Sequence, residues 1–155
     1  MKTEEISLFS SGRRLAASLD LPEGRAKMKF VIACHGLFST KDSEKWIAMG
    51  ERLSGIGYGL MRLDFGGCGE SEGSIEESSV SGRLEELTVA LNYVKGHPAF
   101  TPPIGLLGSS LGGFLIMAKA SGMEGVGALV AMATPAAIHA TPEVVICLRE
   151  QGYYQ

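Results

Sequence analysis

The 155-residue sequence is poor in the features that would tie it to metal, nucleic acid or membrane. Its three cysteines, Cys34, Cys68 and Cys147, form an odd set without CxxC or metal-ligand spacing, so free thiols are expected and no metal or organic cofactor is implied. The formal net charge is only −3, with no block of like charge, which leaves nothing to draw the chain to nucleic acid or to an anionic membrane surface. No apolar run reaches the ~20 residues of a membrane span. The opening MKTEEISLF carries acidic residues where a signal peptide would have an apolar core, so the expected address is the cytoplasm. Repeats, low-complexity tracts and linkers are also missing. Residues 1–155 therefore read as one domain, with 45% hydrophobic residues to build its core.

What the chain does have is an alternation of strand and helix signals. EEISLF and RRLAASLDL are two short strand patterns joined by the SSG turn, an antiparallel hairpin ended by Pro22. MKFVIACHG and GYGLMRLDF are continuous apolar runs of the kind buried on both faces. Between them KDSEKWIAMGERLSG spaces Trp46, Met49 and Leu53 as a helix does. SVSGRLEELTVALNYVKG puts Leu84, Leu87, Leu91 and Val94 on one helical face and Glu85 and Glu86 on the other. PPIGLLGSS and VGALVAMAT are again strands, separated by the helical SLGGFLIMAKASG. A hairpin followed by four strands with helical crossovers calls for an α/β fold with a mostly parallel, doubly wound sheet.

In such sheets, ligands meet the loops at the carboxyl ends of the parallel strands. Those loops are HGLFSTKD, DFGGCGESEG, SSLGGF and ATPAAIHATPE. In the third, Gly108, Ser110 and Gly112 fit G-x-S-x-G, in which a serine sits on a strained strand-to-helix turn with small neighbours two residues away. Ser109 fails the same frame, because Leu107 and Leu111 occupy those places. The competing reading of Ser110 is a helix N-cap in a glycine-rich turn. His35-Gly36 ends the third strand where a second oxyanion donor belongs, so the Leu37 amide is expected to join that of Leu111. His35 itself is expected to brace the loop by hydrogen bonding. His97, in KGHPAF, falls at the opposite edge of the sheet and is no candidate.

HGL, DFGGCGESEG and GSSLGG, in that order, resemble the oxyanion loop, the D-x-x-G-x-G-x-S turn and the nucleophile elbow of the α/β-hydrolase superfamily. The resemblance is to serine hydrolases of the serine aminopeptidase S33 or Hydrolase-4 type and their esterase relatives, and it spans nearly the whole chain. It implies acyl transfer from a small-molecule ester, thioester or amide to Ser110, with the oxyanion held by the Leu37 and Leu111 amides. It also implies that Asp64 organises its turn and is not the catalytic acid.

The same resemblance calls for a cap, a later acid and a final histidine. After Ser110 there is no aspartate, and the one histidine is His139. The expectation is thus an incomplete hydrolase domain, truncated or split, weakly active alone, and completed by a C-terminal chain or self-associated through the apolar edge of the sixth strand. A base within the chain would have to be His139 supported by Glu143, in the order Ser, His, Glu; the alternative is that His139 is a solvated loop residue. A catalytically silent binding or assembly module on the same fold is the competing function.

Overall fold

The computed structural model describes residues 1–137. Strands β1 (Lys2–Ser10) and β2 (Arg13–Leu21) form the expected hairpin, pairing antiparallel from Lys2 with Leu21 to Ser10 with Arg13. β3 (Phe30–Cys34), β4 (Gly59–Leu63), β5 (Ile104–Ser109) and β6 (Val126–Met132) run parallel to one another. The sheet order is β1-β2-β4-β3-β5-β6, with β2 antiparallel to β4. The four parallel strands alternate with helices α1 (Glu44–Gly55), α2 (Val80–Gly96) and α3 (Leu111–Ala120).

The apolar pattern explains why the helices divide between the two faces. On α1, Trp46, Met49 and Leu53 close over Ala33, Leu60 and Leu107, forming the smaller core. On the other face, Leu87, Ala90, Leu91 and Val94 of α2 join Leu115 and Ile116 of α3 over Phe30, Ile32, Met61 and Leu106. Each fully buried leucine or phenylalanine there contributes about 1.5–3 kcal/mol of transfer free energy, so the central strands are firmly placed. Cys34 and Cys68 are buried free thiols, and desolvation pushes the Cys34 thiol up to about 12. Cys147 lies outside the described residues.

The periodicity of α2 misplaces one side chain. Glu86 is drawn in from the expected polar face, where its carboxylate accepts from the Gly66 amide at 3.0 Å. Burial raises its pKa against the lowering effect of that amide. Arg83 is buried as well, its Nε donating to Ser78 Oγ and its guanidinium lying 5.1 Å from the Phe65 ring centroid. Local demand from the loop after β4 overrides the helix's own two-sided pattern.

Candidate active site

The loops after β3, β4 and β5 meet at one edge of the sheet because their strands are parallel neighbours. Ser110 stands between β5 and α3 with φ 53° and ψ −120°, in the left-handed half of backbone space that a serine seldom adopts. Its carbonyl accepts from Phe114 N at 3.1 Å to start the helix, while its own N–H donates to Met132 O at 2.9 Å. The side chain makes no cap hydrogen bond and is exposed. A serine kept as an N-cap would use that hydroxyl on α3, so the observed geometry speaks against the capping alternative.

The flanking glycines are there for space. A Cβ at Gly108 would lie 2.5 Å from Gly112 O, and one at Gly112 would run into the carbonyls of Cys34 and His35. The close approach brings α3 down on the end of β3. A Cβ at Gly36 would stand 3.2 Å from Ser110 Cβ and 3.7 Å from its Oγ. The β3 loop thus begins directly beside the serine. Neither the Leu37 nor the Leu111 N–H donates to a backbone acceptor among the described residues. Leu37 and Phe38 are exposed, Phe38 at φ 56°, and a cavity of about 300 Å³ opens beside Phe38, lined also by Thr40, Cys68 and Ile75.

His35 makes a hydrogen bond at each ring nitrogen. It is fully buried, and its Nε2 accepts from Phe65 N at 3.1 Å. That leaves the proton on Nδ1, which donates to Gly36 O at 2.6 Å. Desolvation lowers its pKa to about 4, against the opposing pull of the Gly36 carbonyl. The imidazole is therefore neutral at physiological pH, and its 4.0 Å approach to Asp64 is no ion pair.

Asp64 ties two loops together. One carboxylate oxygen accepts from Lys41 N at 2.6 Å in the β3 loop, and the other accepts from Glu70 N at 3.0 Å in its own turn. Burial raises its pKa even though both amides favour the charged form. Gly69, at φ 53°, presses so closely on that carboxylate that no side chain fits there. Ser71 extends the tie to the hairpin, donating to Asp64 O at 2.7 Å and accepting from Ala16 N at 2.9 Å.

Several charged groups behind the loop carry no sequence motif. Arg62 on β4 donates to both carboxylate oxygens of Asp20, at 2.7 and 3.2 Å, and to Asp42 at 2.8 Å. Lys41 is buried beside the carboxylates of Asp42 and Glu70. Burial alone would lower its pKa, but those carboxylates outweigh burial and raise it. On α1, Lys45 donates from Nζ to Ser109 Oγ at 2.8 Å, across 64 residues of sequence.

Among the described residues no histidine stands ready as a base for Ser110. His35 is committed on both ring nitrogens, and His97 stacks edge-on against Phe30 at the amino end of β3, at 5.3 Å between ring centroids. His139 and Glu143 lie outside the described residues. No group of three or more possible metal ligands occurs among the described residues.

A sequence profile described as the alpha/beta hydrolase fold matches residues 29–152. The chain belongs to the α/β-hydrolase family. Within that family it is 31% identical over 134 residues to the mouse protein named palmitoyl-protein thioesterase ABHD10, mitochondrial, covering 86% of this chain and 43% of the relative. It is 38% identical over 79 residues to rat acyl-coenzyme A thioesterase 1, covering 50% of this chain and 18% of that protein. Among solved structures, the ferulic acid complex of Est1E from Butyrivibrio proteoclasticus superposes with a TM-score of 0.76 at 28% identity, over 80% of this chain and 50% of Est1E. This α/β-hydrolase chain thus spans half or less of the length of each of these proteins.

Proposed function

We propose that this chain carries the nucleophile and oxyanion site of a serine hydrolase that cleaves a small-molecule ester or thioester, with amides as the less favoured class. Ser110 attacks the acyl carbonyl, its proton passes through a base to the leaving alcohol or thiol, and water then releases the acyl group. The Leu37 and Leu111 amides receive the developing oxyanion. The observation that carries this reading is the strained, exposed Ser110, its hydroxyl unused by α3 and the Gly36 backbone against its Cβ. The thioesterase names of two relatives favour ester and thioester substrates. The apolar cavity beside Phe38, the residue after Leu37, offers a surface for an acyl chain. A place within the serine aminopeptidase S33 or Hydrolase-4 group rests on the order of the three motifs.

The base is assigned to a histidine beyond the described residues, His139 or one supplied by a complementing chain. A second reading, the silent binding or assembly module, draws on the commitment of both described histidines to structural bonds. A fluorophosphonate probe separates the two. Labelling of the wild-type chain that Ser110→Ala removes supports the hydrolase, and a folded chain that resists the probe supports the silent module. The cytoplasmic address remains an expectation beside a relative named as mitochondrial; among the described residues no helix is long and apolar enough to cross a membrane.

A further inference from the structure

The cations near Ser110 are not all used alike. Lys41 and Arg62 end on carboxylates, which neutralise them within the fold. Lys45 ends on the Ser109 hydroxyl at 2.8 Å and belongs to none of the ion pairs among the described residues. Two nearby acids, Asp42 and Asp64, are engaged elsewhere. Asp42 holds Lys41 and Arg62, and Asp64 holds two backbone amides. His35, which Lys45 influences electrostatically, is neutral and adds no charge of its own. Among the described residues the ammonium is thus an exposed positive charge outside any ion pair, held next to the residue that precedes the candidate nucleophile.

A lysine on a surface helix ordinarily projects into water, because fixing its long stem costs about 1.5–2 kcal/mol of rotamer freedom. This one is held at both Ser109 and Trp46, its ammonium over the Trp46 ring at 4.9 Å from the centroid. Ser109 and Ser110 are consecutive, so their Cα atoms are about 3.8 Å apart. The Lys45 ammonium, on the Ser109 hydroxyl, therefore stands one residue along the chain from the candidate nucleophile. Hydroxyls share an ammonium readily, since Nζ carries three donors and spends one here.

We propose that Lys45 reads an anionic substituent of the substrate, a carboxylate placed a few atoms from the scissile carbonyl. This substrate class rests on the hydrolase reading of Ser110, but the charge preference is measurable without turnover. Trp46 is the only tryptophan in the sequence, so its fluorescence reports directly on the adjacent ammonium. Monomethyl succinate carries the charge on the acyl side and 4-acetoxybenzoate carries it on the leaving group. Dimethyl succinate and methyl 4-acetoxybenzoate are their neutral counterparts.

Titrating the full chain with each while following Trp46 should show at least one anion binding about tenfold more tightly than its neutral counterpart. The preference should shrink at high salt, as an exposed charge requires. Lys45→Met keeps the apolar stem and should abolish it, Lys45→Arg should keep it, and Ser110→Ala should leave it intact. The anion that shows the preference identifies which side of the substrate carries the charge. Equal binding of charged and neutral partners in both pairs overturns the proposal, as does an anion preference that survives in Lys45→Met. Failure of Ser110 to react with a neutral fluorophosphonate instead removes the hydrolase reading and leaves the fluorescence result standing.

Discussion

The two sides of Ser110 are built differently. Toward β4, the loop that carries Leu37 is tied down by buried polar groups: Asp64 on the amides of Lys41 and Glu70, Arg62 on Asp20 and Asp42, and His35 between Gly36 and Phe65. Toward β6 the described residues make few such side-chain ties. The Ser110 N–H reaches Met132 O, while Leu129 and Val130 on the same strand are 37% and 51% exposed. Oxyanion stabilisation needs donors fixed before charge develops, because a donor that must reorganise loses much of its advantage. On the role proposed for the Leu37 amide, the β4 side meets that condition from its own residues. The family resemblance puts the acid and the base on the β6 side, where Leu129 and Val130 are exposed among the described residues.

The largest effect expected on this contrast is chemical. Ser110→Ala should abolish fluorophosphonate labelling and lower any esterase turnover by about 10³-fold or more, with the circular dichroism spectrum unchanged. Residual labelling at another serine, read by peptide mass spectrometry, would move the nucleophile off the elbow and break the comparison at its centre.

The fixed side should be the costlier one to disturb in stability. Asp64→Ala strands the buried amide of Lys41 and the half-buried amide of Glu70, and an unsatisfied buried donor costs about 1–3 kcal/mol. The expected loss is about 2–4 kcal/mol in urea unfolding, together with slower labelling of Ser110 as the Leu37 loop loosens. Normal stability with normal labelling in this variant would show that the loop holds itself without the tie.

A smaller and pH-dependent effect belongs to His35. Its folded-state pKa of about 4 lies below the ordinary value of 6.5, so between those limits the unfolded chain binds the proton and the folded chain does not. Stability should therefore fall as pH drops through that window, by about 1 kcal/mol from pH 7.5 to 5.5. Asp64 and Glu86, whose pKa values are raised, act in the opposite sense on acidification. The test is accordingly a difference: His35→Gln should show a flatter stability profile than wild type over the same range. Parallel profiles would mean that the imidazole is already charged or exposed.

These ties also mark the limit of what could be read from sequence. The elbow was legible because its constraints are contiguous, with glycines two residues either side of a serine between a strand and a helix. The sheet was legible because apolar runs and helical spacing alternate cleanly from Phe30 to Met132. The bracing role of His35 followed from its place at the end of β3. Asp20 with Arg62, Lys45 with Ser109 and Glu86 with Gly66 had no such signature, since each pair joins residues 20 or more apart through single side chains. Helical spacing put Glu86 on the polar face; only the amide of a distant loop explains why it turns inward.

The open side should respond least in stability and most in association. Val130 is half exposed on β6, and among the described residues that strand pairs only with β5. Replacing an exposed side chain there removes little burial, so Val130→Lys should change the unfolding free energy by no more than about 0.5 kcal/mol. It does place a charge beside the free edge, the device by which β proteins discourage further strand pairing. Light scattering should accordingly show the wild-type chain self-associating with concentration and Val130→Lys shifting toward the monomer at unchanged stability. If Val130→Lys is instead as destabilising as Asp64→Ala, the strand is already covered within the chain. The contrast between a braced and an exposed side of Ser110 would then be wrong.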